Sequence, residues 1–223
     1  MSPDLDPDRI LALSYVPARR RAAVGALWRL DAALGAALAG GREPMMARIK
    51  LAWWREALEK LDVAPAPAEP VLKDLAAYVV PAVAGAELAR MEDGWSLLIG
   101  DEALGPAELD SYAAIRGALL FRYTARLLGG EEAEEEEEGL GPSGEAWALV
   151  DLARHCAASE DSDVALEAAR RRRLPARWPS RLRPLGMLAA LAARDSDPAR
   201  PPWEVRGSPG RMWLMLRHRI FGY

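Results

Sequence analysis

Apolar residues in this chain return every three or four positions, and no stretch shows the β-branched and aromatic alternation that a half-buried strand requires. The segments between turn signals are built from Ala, Leu, Arg and Glu, which favour helix. An all-α fold is therefore expected. With 223 residues, 51% of them hydrophobic, the chain has enough apolar surface for a buried core, which excludes a disordered or fibrous chain. No fixed repeat period is present, so one bundle of roughly eight to ten helices is predicted rather than a solenoid.

Pro17 stands at the first turn of a helix predicted to reach about Ala39, with Val24, Leu27, Leu30, Leu34 and Leu38 at helical spacing ahead of Gly40 and Gly41. A second helix is predicted from about Pro44 to Leu61. It is apolar on two sides, through Leu51, Trp54, Leu58 and Leu61 on one and Ile49 and Trp53 on the other, which predicts that Trp53 or Trp54 is largely buried. A proline-stiffened linker covers residues 64–70. Helical pattern then continues through Pro81, which divides two helices or kinks one, and ends near Gly100. A strong helix follows from about Pro106 to Leu128, closed by Gly129 and Gly130. Residues 131–138 place seven glutamates in eight positions with no apolar partner, and self-repulsion predicts a solvated acidic loop. Further helices are predicted over about 145–158, 163–173, 179–194 and 211–220. The whole of 1–223 reads as a single domain.

The 29 basic residues against 33 acidic ones leave a net charge of −4, which argues against nucleic acid as a partner. Anion binding must be local. The densest candidate is the set Arg170, Arg171, Arg172, Arg173, Arg177, Arg181 and Arg183, which could hold a diphosphate, make peripheral contact with an anionic membrane, or form a solvated face balancing the glutamate run. The sole cysteine, Cys156, excludes a disulfide framework and a Cys-based cluster within one chain. A cytoplasmic location fits this. The acidic first residues do not resemble a leader, and the longest apolar run, twelve residues over 75–86 broken by Pro81, falls short of a bilayer core roughly 30 Å thick. No membrane span is expected.

Asp31 shares a helix face with Val24, Leu27, Leu34 and Leu38, so a carboxylate interrupts an apolar stripe. Burial there requires a paired cation or a metal; at the stripe's edge, an ordinary arginine pair would serve. Glu56 lies beside the apolar face carrying Ile49 and Trp53, and Arg55 follows Arg48 by two turns. Two helices bringing Asp31 and Glu56 around an arginine or a metal would form a polar site inside a bundle. The alternative is a surface Arg55–Glu59 pair over a tryptophan core. His155 and His218 have no second histidine at ligand spacing, and neither a Ser-His-Asp arrangement nor a Gly-rich phosphate loop is recognisable.

The order of four segments resembles the squalene/phytoene synthase family: RRRAAVGALWRLDAAL at 19–34, RIKLAWWREAL at 48–58, YAAIRGALLF at 112–121, and DLARHCAASED at 151–161 with Leu174-Pro175 after it. The resemblance implies an all-α bundle of the isoprenoid synthase type around a central cavity. It further implies prenyl diphosphate substrates joined head to head, with Mg²⁺ held by two aspartate-rich motifs on facing helices. Asp31 stands alone where the first motif carries paired acids. In the second, usually Asn-x-x-Arg-Asp, Asp151 stands at the asparagine position, Arg154 matches and His155 replaces the following aspartate, leaving Glu160 and Asp161 further on as weak metal candidates together with Asp31. With acids this sparse, the expected function is binding of an isoprenoid diphosphate or lipid without normal Mg²⁺-dependent condensation. Alternatives are an active head-to-head prenyltransferase, and a non-catalytic assembly or scaffold protein with a protein partner, similar to the respiratory complex I assembly relatives of the family. Asp31, Arg55, Glu56, Arg116, Asp151 and Arg154 are the candidate cavity residues. Asp31, Arg55 and Arg154 are expected to face one shared cavity.

Overall fold

Proline begins five helices of this chain, at Pro7, Pro44, Pro70, Pro106 and Pro209, because its fixed φ suits the first turn and its missing N–H is one that no helix would satisfy there. The structure, a computed structural model, describes residues 4–39, 43–100, 104–129, 139–200 and 203–223. Helix α1 (Pro7–Ser14) precedes the first helix expected from the sequence, and Asp6 caps it by accepting the N–H groups of Asp8 at 3.0 Å and Arg9 at 3.1 Å. Then come α2 (Ala18–Ala39), α3 (Pro44–Lys60) and α4 (Pro70–Tyr78). The break around Pro81 divides helices, as one of the two expectations held. Beyond it the chain forms two short helices, α5 (Gly85–Ala89) and α6 (Met91–Ser96), where one longer helix was expected.

Helix α7 (Pro106–Tyr112) passes through a π-helical turn, Ala113–Ala118, into α8 (Leu119–Gly129). The remaining helices are α9 (Leu140–His155), α10 (Ser159–Arg170), α11 (Arg183–Asp195), preceded by a 3₁₀ turn at Ser180–Leu182, and α12 (Pro209–Phe221). No strand occurs among the described residues. The acidic run at 131–138 lies outside them.

Helix α2 is the central element, burying Val24, Leu27, Trp28, Leu30 and Leu34 completely. Each such leucine contributes about 1.5–3 kcal/mol by leaving water. Trp28 cannot be buried on hydrophobicity alone, and its Nε1 donates to Thr124 Oγ1 at 3.0 Å, joining α2 to α8. By length and composition α2 could cross a bilayer, the one such helix among the described residues, but 56% of its apolar window is buried in the bundle, where a core helix would be.

Two differences from the sequence reading have local causes. Helix α9 starts at Leu140 rather than near Glu145, drawing Gly141, Pro142 and Gly144 into its first turns. A Cβ on Gly117 would stand 2.1 Å from the Gly144 carbonyl oxygen, and one on Gly144 2.2 Å from that of Gly117, so backbone meets backbone where the π turn crosses α9. Glycines that read as loop are thus a close-packing device. On α3, Trp54 is buried at 9% exposure whereas Trp53 is 45% exposed, so one of the two apolar sides faces outward.

A cavity closed by a ring of arginines and aspartates

A cavity of about 690 Å³ opens beside α2, bordered by α1, α6, the α7 helix with its π turn, α9, and the segment that leads into α12. Leu5, Ala32, Ala36, Leu38, Leu98 and Leu152 give it apolar walls. Its polar end is built around Asp31, which is fully buried. Arg116 donates to Asp31 twice, Nε to Oδ1 at 3.0 Å and Nη2 to Oδ2 at 3.2 Å. Arg9 Nη1 reaches Oδ2 at 2.9 Å, and Trp95 Nε1 reaches Oδ1 at 3.2 Å. Four donors therefore surround one carboxylate.

The pairing continues outward. Arg116 Nη2 also donates to Asp151 Oδ2 at 2.7 Å, Arg206 Nη2 donates to Asp151 Oδ1 at 2.5 Å, Arg206 Nη1 lies 3.5 Å from Asp6 Oδ2, and Arg9 Nε closes the circuit on Asp6 Oδ2 at 2.6 Å. Three arginines and three aspartates alternate in a closed ring, each guanidinium between two carboxylates.

The guanidinium of Arg116 is caged by aromatic faces, 4.1 Å from the Trp95 ring centroid and 4.9 Å from that of Trp147, and it donates to the Tyr112 hydroxyl at 2.5 Å. Such stacking suits arginine's planar, weakly hydrated cation. Burial by itself favours the neutral form of Arg116, but Asp31, Tyr112 and Asp151 reverse this and hold its pKa well above the ordinary arginine value. Burial likewise pushes Asp151 upward, and Arg116, Arg206 and Arg9 overcome it, keeping the carboxyl well below the usual range. Tyr112 is raised by burial and remains a phenol. The π turn supplies the geometry: it carries Arg116 on a stretch held against α9, the helix of Asp151.

A second cluster adjoins the ring. Arg211 donates through Nε and Nη2 to Asp8 Oδ2 at 3.0 and 2.9 Å, and through Nη1 to Asp195 at 2.6 and 2.8 Å. Arg154 Nη2 reaches Asp195 Oδ2 at 2.9 Å, Arg154 Nη1 donates to the Glu204 carbonyl at 3.2 Å, and its guanidinium stacks 4.8 Å from the Trp203 centroid. The crevice between the two clusters holds about 30 Å³, room for a water rather than a ligand.

Of the six candidate cavity residues, Asp31, Arg116 and Asp151 come together at the cavity, and Arg55, Glu56 and Arg154 do not. Arg55 turns to α6, donating to Glu92 Oε2 at 2.8 Å and pairing with Asp93. Glu56 is on the surface with Lys60 at 2.6 Å, an i,i+4 pair. Arg154 serves the second cluster, so the shared cavity expected for Asp31, Arg55 and Arg154 keeps only Asp31. Glu160 and Asp161 sit in the first turn of α10 and do not border the cavity. The basic set is partly used as clamps: Arg170 donates to the Ser196 carbonyl, Arg172 to Asp110, and Arg183 to the carbonyls of Arg219 and Ile220.

Sequence reasoning missed Asp6, Arg9, Trp95 and Arg206. For the first two a signal existed, since Asp6 followed by Pro7 is a helix-start pattern. For Trp95, on a one-turn helix, and Arg206, in a proline-rich connection, the sequence carries no comparable cue.

The ring does not fit a Mg²⁺ ion. Six oxygens at near-octahedral geometry are needed, with several of them from free carboxylates in a diphosphate site. Here each oxygen of Asp31 and Asp151 already accepts from an arginine. No group of three metal-capable His, Cys, Asp or Glu side chains occurs among the described residues.

An all-α bundle with a deep, polar-ended cavity is the class of protein that fold and site define together. The squalene/phytoene synthase pattern matches residues 3–183, most of the chain, and the chain belongs to that family. No curated protein and no solved structure matches. Arg206 and Arg211 lie beyond the matched residues.

Proposed function

We propose that this family member binds an isoprenoid or related lipid in its cavity, diphosphate-bearing or not, and does not carry out Mg²⁺-dependent condensation. The observation that carries the reading is the state of Asp31: its two oxygens receive four hydrogen bonds from Arg9, Arg116 and Trp95. A carboxylate so engaged has no lone pair to offer a metal without breaking a buried ion pair, a cost of about 3–5 kcal/mol. The volume of about 690 Å³ and the apolar walls fall within the range of small-molecule sites. The test is incubation of purified protein with farnesyl or geranylgeranyl diphosphate and Mg²⁺, beside an active synthase. No hydrocarbon product is expected, and turnover would establish the head-to-head prenyltransferase reading in its place.

An assembly or scaffold role is a second reading. Met45, Met46, Ile49 and Trp53 form an exposed apolar stripe along α3, at 61%, 44%, 54% and 45% exposure, of the kind that protein partners cover. Recovery of one defined respiratory subunit, lost on Ile49→Glu with Trp53→Glu, would support it. A cytoplasmic location, with contact to a bilayer surface, belongs to the same proposal.

A further inference from the structure

We infer that α12 is a docking helix for an anionic bilayer surface, lying along it with its outer face sunk among the headgroups. The inference sharpens the bilayer contact proposed above by assigning it to one helix. That helix is built inside out. Its buried stripe is Arg211, Met215 and His218, so two of the three side chains turned to the bundle are polar. The opposite side is apolar: Trp213, Leu216 and Ile220 stand at i, i+3 and i+7, Met212 and Phe221 flank them, and all five are exposed, Trp213 by 67% and Ile220 by 56%. Tyr223, also exposed, continues the face, its ring centroid 5.9 Å from that of Phe221. A contiguous face of this kind marks an interaction surface, whereas single exposed apolar residues do not.

Charge decides what covers it. From position 205 to 223 the chain has no Asp or Glu and four arginines. Arg206 and Arg211 are paired inward, whereas Arg217, exposed between Trp213 and Phe221, and the half-buried Arg219 pair with no acid among the described residues. Arg219 lies 5.9 Å from the Tyr15 ring centroid, and Arg183 donates to the carbonyls of Arg219 and Ile220, which makes this end of the helix basic. Aromatic rings with arginines set among them suit a membrane interface, where the rings sit at headgroup level and the guanidiniums reach lipid phosphates. Anionic headgroups supply the missing counter-charge; a second copy would set an acid-free basic face against itself. The apolar stripe on α3 differs, because Glu56 and Glu59 are exposed on the same helix. At 13 residues, about 20 Å, α12 is too short to cross a bilayer core and must lie along it.

The experiment is co-sedimentation of the full chain with vesicles of phosphatidylcholine alone and of phosphatidylcholine mixed with phosphatidylserine, beside sedimentation velocity without lipid. A monomer that binds the mixed vesicles, and binds them less as salt rises, is expected. Trp213→Glu combined with Ile220→Glu should weaken that binding by more than about tenfold, and Arg217→Gln by about fivefold on mixed vesicles only. These side chains are exposed, so the unfolding midpoint should stay at the wild-type value; if the paired change lowers it, Arg217→Gln decides alone. Ile49→Glu with Trp53→Glu on α3 should leave vesicle binding unchanged. Vesicle binding that survives the α12 changes overturns the assignment to this helix and leaves a bilayer contact standing elsewhere. No binding to either vesicle overturns both. A dimer without lipid that Trp213→Glu with Ile220→Glu dissociates would give the face to a second copy and overturn the inference as well.

Discussion

The ring around Asp31 and the clamp around Arg211 lie side by side and share one short helix: Asp6, the cap of α1, and Arg9 within it turn to the ring, Asp8 to the clamp. Both are buried arginine–aspartate clusters, yet they are placed differently. The ring sits against a cavity, its central cation stacked on Trp95 and Trp147. The clamp ties residues 203 positions apart in sequence, Asp8 and Arg211, and thereby fixes the start of α12. Gly207 contributes at a φ of +75°, a conformation that favours glycine, and its N–H donates to Asp8 Oδ1 at 3.0 Å. The clamp consequently positions the neighbouring Arg206, a member of the ring. One cluster shapes a site and the other holds its wall in place, which is why two such clusters are needed.

The sharpest way to separate them is to remove the centre of each. Asp31→Ala leaves Arg116 with Asp151 and Arg9 with Asp6, so the ring holds three guanidiniums against two carboxylates, and one uncompensated buried charge costs about 3–5 kcal/mol. Chemical denaturation should show that loss, and a midpoint within error of wild type would mean that water enters the cavity to solvate the ring. Combining Asp31→Leu with Arg116→Met should recover much of the stability, because an apolar replacement of a buried pair is often close to neutral. Lipid binding should not recover with it.

Arg211→Ala should cost less, about 2–3 kcal/mol, because neither acid is stranded: Asp8 keeps the Gly207 N–H and Asp195 keeps Arg154. Its distinguishing mark is local. Hydrogen exchange should quicken over residues 203–208 and α12 while α2 and α9 stay protected. Uniform quickening would instead show that the clamp and the ring unfold as one unit.

The two clusters also differ in how far the sequence exposes them. Asp31 was legible because it breaks a stripe of Val24, Leu27, Leu34 and Leu38, a conflict that helical spacing alone reveals. Its pairing was not, since Arg9 and Arg116 lie 22 and 85 positions away and meet it through the packing of separate helices; the family resemblance brought Arg116 into the candidate set and left Arg9 out. Arg55 and Arg154 show the same limit from the other side. Helical spacing gives the face on which each stands, but the neighbour each face meets, α6 for Arg55 and α11 with the Trp203 segment for Arg154, is set by tertiary packing. The longer helices were readable from proline starts and apolar spacing, whereas α1 and the split into α5 and α6 were not. The π turn and the Gly117–Gly144 contact were not, because glycine signals flexibility locally and close approach only when its opposite number is known.

Every arginine in the two clusters has its acid; His218, one helical repeat beyond Arg211 on α12, is buried at 3% exposure with no partner for either ring nitrogen. Burial, aided by nearby Arg183 and Arg217, pushes its pKa from the ordinary 6.5 down to about 4. As pH falls through that interval the unfolded chain takes up a proton that the folded chain refuses. Stability therefore drops between about pH 6.5 and pH 4 and levels off below, by about 2 kcal/mol after allowing for partial solvent relaxation. Asp151 and Asp6, both held below their usual values by arginines, contribute stability that is lost only at lower pH, so the ring should outlast this step. His218→Leu removes the titrating group from a site with no hydrogen bond to lose. The difference in unfolding free energy between that variant and wild type should grow in favour of the variant as pH falls from 7 to 4, and a difference that stays flat would place the acid sensitivity of the chain in the ring rather than in this unpaired ring nitrogen.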